Sequence, residues 1–359
     1  PGITIKDNGL RVGGGCHDLL VRHLRMRTGD STIFGTLRDD WTDVDGEGPG
    51  TVYAHPLSVS PQKAYGGGKN RSVWWNDKDL AEDSGKTTNV ALHKWDWDPR
   101  VPDRKGKEVT RSDKGILYVN VGENPANGRL DYGKYKSSVI DPIPITTGTR
   151  NIVFDHLSCT WAGDMNMQSQ GSHVTIRNCL IAEGLHSPKH PKGGHSRGLL
   201  VFAYGPNQGE FTTIVGNLFA FNMARNPSVI KGYMVLVANN FVSDVNVGIR
   251  LFDSTELNSV TAAQANVIQR ARWAFNARVT NRATPEKTKA YISPDNMVDG
   301  KTFASVEDIW KQVVSNPFKA GTQPQSLRVT SSPVIVPGLE IKPVEQVEAW
   351  VLATAGARP

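Results

Sequence analysis

Three groups of residues carry side chains able to do chemistry. The first runs from Asp155-His156 to Trp161-Ala-Gly-Asp164. The second is the loop Glu183-Gly-Leu-His-Ser-Pro-Lys-His-Pro-Lys-Gly-Gly-His-Ser-Arg197, which holds three His, two Lys and one Arg. The third is Met223-Ala-Arg225-Asn-Pro227. Asp164 lies eight residues after His156, and Arg225 lies eight after Asn217. If the segments between them stack as coils, a carboxylate and a guanidinium hold the same phase and face one groove, with a basic loop entering beside them. Loops that leave a fixed scaffold are where function tends to sit.

The elements that must position these groups are short β-branched runs, each ending in a polar stop: Asn151–His156, Val174–Asn178, Phe211–Asn217 and Val235–Asn239. His156 and Asn178 are 22 residues apart, as are Asn217 and Asn239; Asn178 and Asn217 are 39 apart, which leaves room for a turn and a loop. A strand-then-stop unit at this period predicts stacked coils rather than a sandwich or an α/β sheet. Asn178, Asn217 and Asn239 are read as equivalent corners. Asn tolerates left-handed backbone there and bonds the next coil, so these residues are structural first. Residues 1–270 are assigned to the coil domain, interrupted by an irregular insert at 31–140 that lies over its side. Ile116–Val121 is read as a strand within that insert. Its tryptophans, as in Ser72-Val-Trp-Trp-Asn-Asp77 and His93-Lys-Trp-Asp-Trp-Asp98, serve either to pack the insert or to stack on sugar rings. Residues 271–359 lose the strand period and are predicted to form a tail with short helices at Ser305–Val314, N-capped by Ser305, and at Val344–Leu352. The tail is expected to pack back on the coils. Cys16, Cys159 and Cys179 show no metal-ligand spacing, and buried apolar roles are expected for Cys159 and Cys179.

The chain has 359 residues, 38% hydrophobic and 21% charged, with 35 Gly and 21 Pro, which fits a globular chain of many tight corners. No apolar run approaches the roughly 18 residues that cross a bilayer, so no membrane partner is expected. The abrupt ends suggest a piece of a longer chain. A net charge of +6 favours an anionic partner. Nucleic acid ranks low, because the basic residues concentrate in one loop without the aromatic interleaving that single strands need.

Phe154-Asp-His156, Thr160-Trp-Ala-Gly-Asp164, Ala182-Glu-Gly-Leu185, His190-Pro-Lys-Gly-Gly-His195 and Arg225-Asn-Pro227, in this order, resemble the pectate lyase family in its environmental bacterial branch. Pro1–Ile5, Val21–Asp30 and Ala355–Pro359 resemble the same branch, while 31–140 does not. The resemblance implies an all-β, right-handed parallel β-helix that cleaves an acidic, uronate-containing polysaccharide by β-elimination, often with Ca²⁺. It implies Arg225 as the base, followed at two residues by Pro227. Arginine hardly deprotonates, so that role requires neighbouring cations and a neutralised substrate carboxylate. Lys192 is the second catalytic candidate, with His190, His195, Arg197 and Lys231 as substrate-binding residues. Lys231 stands next to Ile230, where the family carries a second Arg. Asp164, Glu183 and Asp30 are the candidate Ca²⁺ ligands, although Met165 stands where that branch usually has another acid. A secreted or extracellular location follows. A rival reading is a glycan-binding β-helix of a phage tailspike, tail tip or adhesin, on a virion surface or as a homotrimer, with weak or no cleavage. Hydrolysis by paired carboxylates ranks last, since no convincing acid pair stands out.

Overall fold

A computed structural model describes residues 3–6, 9–28, 143–186, 195–203, 209–253, 259–278, 288–315 and 327–357, together with the backbone of a set of strands between residues 33 and 134. The chain divides into two units, one of residues 31–139 with 189–191 and one of the remainder.

The larger unit is a parallel β-helix whose coils have three faces. The first face is the seven-stranded sheet of His17–Arg22, Arg150–Asp155, Ser172–Arg177, Thr213–Val215, Val235–Ala238, Ser259–Gln264 and Thr288–Ile292. The second face stacks Thr4–Lys6, Arg25–Arg27, Ser158–Thr160, Leu180–Ala182 and Leu218–Ala220. The third stacks Pro144–Ile145, Met165–Ser169, Arg197–Phe202 and Ser228–Ile230. Higher up, the single strands Phe241–Asp253 and Val267–Arg278 run through the second and third faces without a break.

Period-two alternation explains the stacking. In each first-face strand one side chain turns inward at the same height, and register places Val21, Phe154, Ile176, Ile214, Val237, Ala263 and Ile292 in one column. The second face builds a like column from Met26, Cys159, Ile181, Phe219, Val242 and Ile268. Nearly all of these side chains are completely buried, and each large one stabilises the fold by about 1.5–3 kcal/mol. Cys159 and Cys179 are free and buried, as expected. Burial pushes both thiols up, that of Cys179 to about 12, so they serve as small apolar residues.

The corner between the first and second faces is a left-handed residue on six successive coils: His23, His156, Asn178, Gly216, Asn239 and Ala265. This corrects the expected equivalence of Asn178, Asn217 and Asn239. Register aligns Asn178 with Gly216 and Asn239. Asn217 is one position further on and points inward, where it stacks with Asn240, Asn266 and Asn296. Each amide in that ladder donates to the next one's Oδ1 at 2.9–3.0 Å. Asn217 also reaches back to the Ile176 carbonyl at 2.9 Å. Glycine had taken the corner that sequence reading gave to Asn, because it adopts positive φ without strain.

The coil stack continues past residue 270, the expected boundary. Thr288–Ile292 pairs in parallel with Ser259–Gln264, and Val313–Ser315 pairs with the Val267–Arg278 strand. The alternation in Ala271–Arg278 was hidden by its Arg, Trp and Asn residues. The Ser305 side chain accepts from the Asp308 amide and caps Val306–Trp310, which sinks Ile309 and Trp310 into the main core. The second helix, Val344–Thr354, packs Val344, Val347 and Val351 on Phe241, Ala265 and Val267. The tail then runs along the side of the coils, where the Gly356 amide meets the Asn178 carbonyl at 2.8 Å and the Ala357 amide meets Ser158 Oγ at 2.9 Å.

The smaller unit is not irregular as expected. Its backbone forms an eight-stranded, mostly antiparallel sheet in the order Ile33–Leu37, Leu130–Lys134, Arg71–Trp75, Lys78–Glu82, Lys94–Asp98, Gly115–Asn120, Tyr53–Leu57, Thr42–Asp43. Of the strand expected at Ile116–Val121, residues 116–120 lie within it, in Gly115–Asn120, and Val121 lies outside the described residues. Lys94-Trp-Asp-Trp-Asp98 alternates with period two, the signature of a strand, although its polarity reads as loop.

One buried charge cluster lies apart from the candidate site. Asp155 is 1% exposed and meets Arg22 Nε at 3.1 Å, Arg177 Nη2 at 3.1 Å and His156 Nδ1 at 2.7 Å. Burial pushes its carboxyl up, but hydrogen bonds from Arg177 and Asn178 and the nearby positive charge outweigh this and hold it below its ordinary 3.8. A carboxyl with a depressed folded value stabilises the native state above the ordinary value. That contribution is lost as pH falls through the lower folded value. Urea midpoints measured from about pH 5 down to about pH 2 should therefore fall more steeply for the parent than for Asp155→Asn; parallel acid limbs would remove this role.

Candidate functional site

Asp155 and His156 sit at the corner between the first and second faces, whereas Asp164, the described ends of the basic loop and Arg225 come from one corner, that between the second and third faces. On successive coils its described residues are 161–164, 183–186 with 195–196, and 221–227. The corner opens on a second left-handed column, Trp161, Glu183, Phe221, Asp244, Arg270 and Asp299. Trp161 Nε1 donates to Glu183 Oε2 at 2.9 Å, and the Arg27 guanidinium lies 4.6 Å from the Trp161 ring centre. Trp161 and Phe221 are exposed, two coils apart on this edge.

Behind that edge the polar groups converge. Asp164 Oδ1 lies 2.8 Å from His195 Nε2 and 3.8 Å from Arg225 Nη1. The expected meeting of Asp164 and Arg225 thus occurs, with His195 joining from the basic loop. His195 is almost fully buried, whereas Asp164 and Arg225 keep about a quarter and a fifth of their side-chain surface, 26% and 21%. Arg197 begins the third-face strand beside Met165, bridging to Ala224 on the next coil. Burial, then the charges of Arg225 and Arg250, bring the Arg197 guanidinium down to about 10, with Asp164 pulling the other way. Arg250 donates from Nε to Asn276 Oδ1 at 2.8 Å.

The backbone of Arg225 has φ of 66°, a left-handed conformation costly for a non-glycine residue. Two features hold it there. Gly198 faces the Arg225 carbonyl so closely that a Cβ would come within 2.4 Å of its oxygen. A second interior amide ladder of Asn166, Asn222 and Asn226 anchors the coils beneath. Asn222 accepts from Asn166 Nδ2 and from the Gly184 amide, each at 3.0 Å, and donates to Asn226 Oδ1 at 2.9 Å.

Not every expected residue joins the cluster. Asp30, His190 and Lys192 lie outside the described residues. Lys231 follows the Ser228–Ile230 strand and stands past its far end, whereas Arg225 precedes its start; the two are separated by the strand itself. Sequence reading missed Arg250, Asn276, Phe221 and the Asn166–Asn222–Asn226 ladder. Phe221 had a legible signal. It lies five residues after the corner glycine Gly216, just as Trp161 follows His156 and Glu183 follows Asn178. Arg250 and Asn276 sit in uninterrupted strands and carry no local signal.

Ca²⁺ takes six to eight oxygens, several from carboxylates. Asp164 is already engaged by His195 and flanked by Arg225, and Glu183 by the Trp161 indole. Among the described residues there is no group of three His, Cys, Asp or Glu able to hold a metal. The described residues do not fit this ion. A separate, half-open pocket of about 320 Å³ lies on the first face between His173, Phe211 and Val334–Pro337 and shares no residue with this site.

No protein-family profile matches the chain. Over 119 residues it is 35% identical to a probable pectate lyase C of Aspergillus flavus and 31% identical to one of Emericella nidulans. Each match covers 33% of this chain and 24% of the fungal protein, so the chain spans about a quarter of the length of the curated relatives it matches. Among solved structures, a thermostable pectate lyase is 15% identical at TM-score 0.47, covering 99% of this chain and 65% of its own. A mutant of Bacillus subtilis pectate lyase is 13% identical at TM-score 0.44, covering 99% and 64%. Such scores add nothing to the coil ladders already described, and the sequence match is the finding that bears on kinship: over one third of its length this chain resembles the pectate lyase family, as its ordered motifs led one to expect.

Proposed function

We propose that the chain is a polysaccharide lyase that cleaves an acidic, uronate-containing glycan by β-elimination, acting outside the cell. The observation that carries this reading is the convergence of Arg225, Asp164, His195 and Arg197 at one corner of the coils. In this mechanism Arg225 accepts the proton from the carbon next to the uronate carboxylate. Arg225 does so in its neutral form; the electron pair left behind forms the ring double bond, the glycosidic C–O bond opposite breaks, and its oxygen takes a proton from water. His195 holds Asp164, which in turn sets the position of the Arg225 fork. The exposed faces of Trp161 and Phe221 suit the apolar faces of sugar rings along the same edge.

The test is a panel of acidic glycans followed by ultraviolet absorbance of the unsaturated uronate. Product from at least one uronate polymer, and none from neutral glycans, is expected. Glycan binding with no unsaturated ends on any polymer would overturn the reading in favour of a binding module.

A further inference from the structure

The groove carries more positive than negative charge. The charges of Arg225 and Arg250 both act on the Arg197 guanidinium there, while Asp164 is held by His195 and flanked by Arg225. Arg197 Nε is buried and makes no hydrogen bond among the described residues. A buried charged donor without an acceptor is costly, and clustered guanidiniums repel one another. Both costs disappear when an anion with two oxygens enters, because a carboxylate matches the guanidinium fork.

Resting on the lyase reading, we infer that Arg197, with Arg250 beside it, seats and neutralises the substrate carboxylate in the role a divalent cation would fill, so that binding and cleavage proceed without one. A carboxylate held this way makes its neighbouring proton more acidic, since the charge that builds up on elimination spreads onto oxygens already paired with Arg197. Arg197 is here a binding and positioning residue, and Arg225 remains the group that takes the proton.

The experiment uses a defined uronate oligosaccharide, its methyl ester and EDTA. Calorimetry of the full chain should give the same affinity for the free acid with EDTA as with added Ca²⁺, and at least tenfold weaker binding of the ester, following the loss of a charged hydrogen bond, about 10–100-fold. Arg197→Met should weaken binding of the acid by a similar factor and leave ester binding unchanged, and Arg197→Lys should restore part of it. The acid-to-ester ratio needs no variant, so it stands if Arg197→Met fails to fold. Product that forms only when Ca²⁺ is supplied overturns this inference and leaves the lyase reading standing. Arg197-dependent binding in EDTA without unsaturated product supports the carboxylate seat and overturns the lyase reading. Equal affinity for acid and ester overturns the seat.

Discussion

Arg225→Lys is expected to lower kcat on the best uronate polymer by about 10³-fold, with KM changed far less. The substitution keeps the positive charge and the long aliphatic stem. It removes the planar fork that faces Asp164 and, in the proposed chemistry, the nitrogen that receives the proton. A loss confined to kcat identifies an interaction made in the transition state, worth about 4 kcal/mol for a thousandfold effect. Had Arg225 been only the ion-pair partner of Asp164, its replacement by another cation would leave turnover within a few-fold of the parent. Asp164→Asn separates the cases further: it keeps the shape beside His195 and removes the charge, and its effect should be smaller than that of Arg225→Lys. The thermal midpoint of Arg225→Lys should stay close to the parent's, because the side chain is partly exposed and the strained backbone is fixed by Gly198 and Asn226 rather than by the guanidinium. Turnover by Arg225→Lys within tenfold of the parent would remove Arg225 as the base.

The coils were legible in the sequence because most first-face strands end at a left-handed corner, usually His, Asn or Gly, and because inward positions carry Val, Ile, Leu and Phe. What failed was the phase. Asn217 resembles Asn178 in type, but the chain places Gly216 at the corner and turns Asn217 inside. Residue type alone does not distinguish an amide that tolerates positive φ from one that spans a coil-to-coil gap. The meeting of Asp164 and Arg225 survived the one-residue error because loops of different length leave that corner and return to it. The last coils were harder to read. Val267–Arg278 bears Arg270, Arg272, Trp273 and Asn276, and an alternation with large polar residues outside looks like loop. The same disguise hid the sheet in the smaller unit. Arg250 could not be read at all, since its relation to Arg197 exists only through stacking.

Asn222→Leu should destabilise the chain more than any surface change, by about 4 kcal/mol. The side chain is 1% exposed and fills four hydrogen bonds. Leucine approximates its volume but leaves the Asn166 amide, the Gly184 N–H, the Ile181 carbonyl and the Asn226 Oδ1 short of a partner inside the coils. Each such deficit costs about 1–3 kcal/mol, and relaxation recovers some of the total. The damage should also reach the chemistry, because Asn226 follows Arg225 directly and its amide links Asn222 to the Val247 carbonyl at 2.9 Å. Asn240→Leu is the matched comparison. It breaks the other interior ladder, where Asn240 bonds Asn217, Asn266 and the Ile214 carbonyl, at a corner away from the groove. Both variants should lower the urea midpoint by similar amounts. At a temperature where both remain folded, Asn240→Leu should retain most of the parent's turnover, while Asn222→Leu should lose at least tenfold through the shifted Arg225 backbone, the equivalent of about 1.4 kcal/mol. Equal turnover in the two variants would show that the interior amides beneath the groove hold only the coils and not the arginine above them.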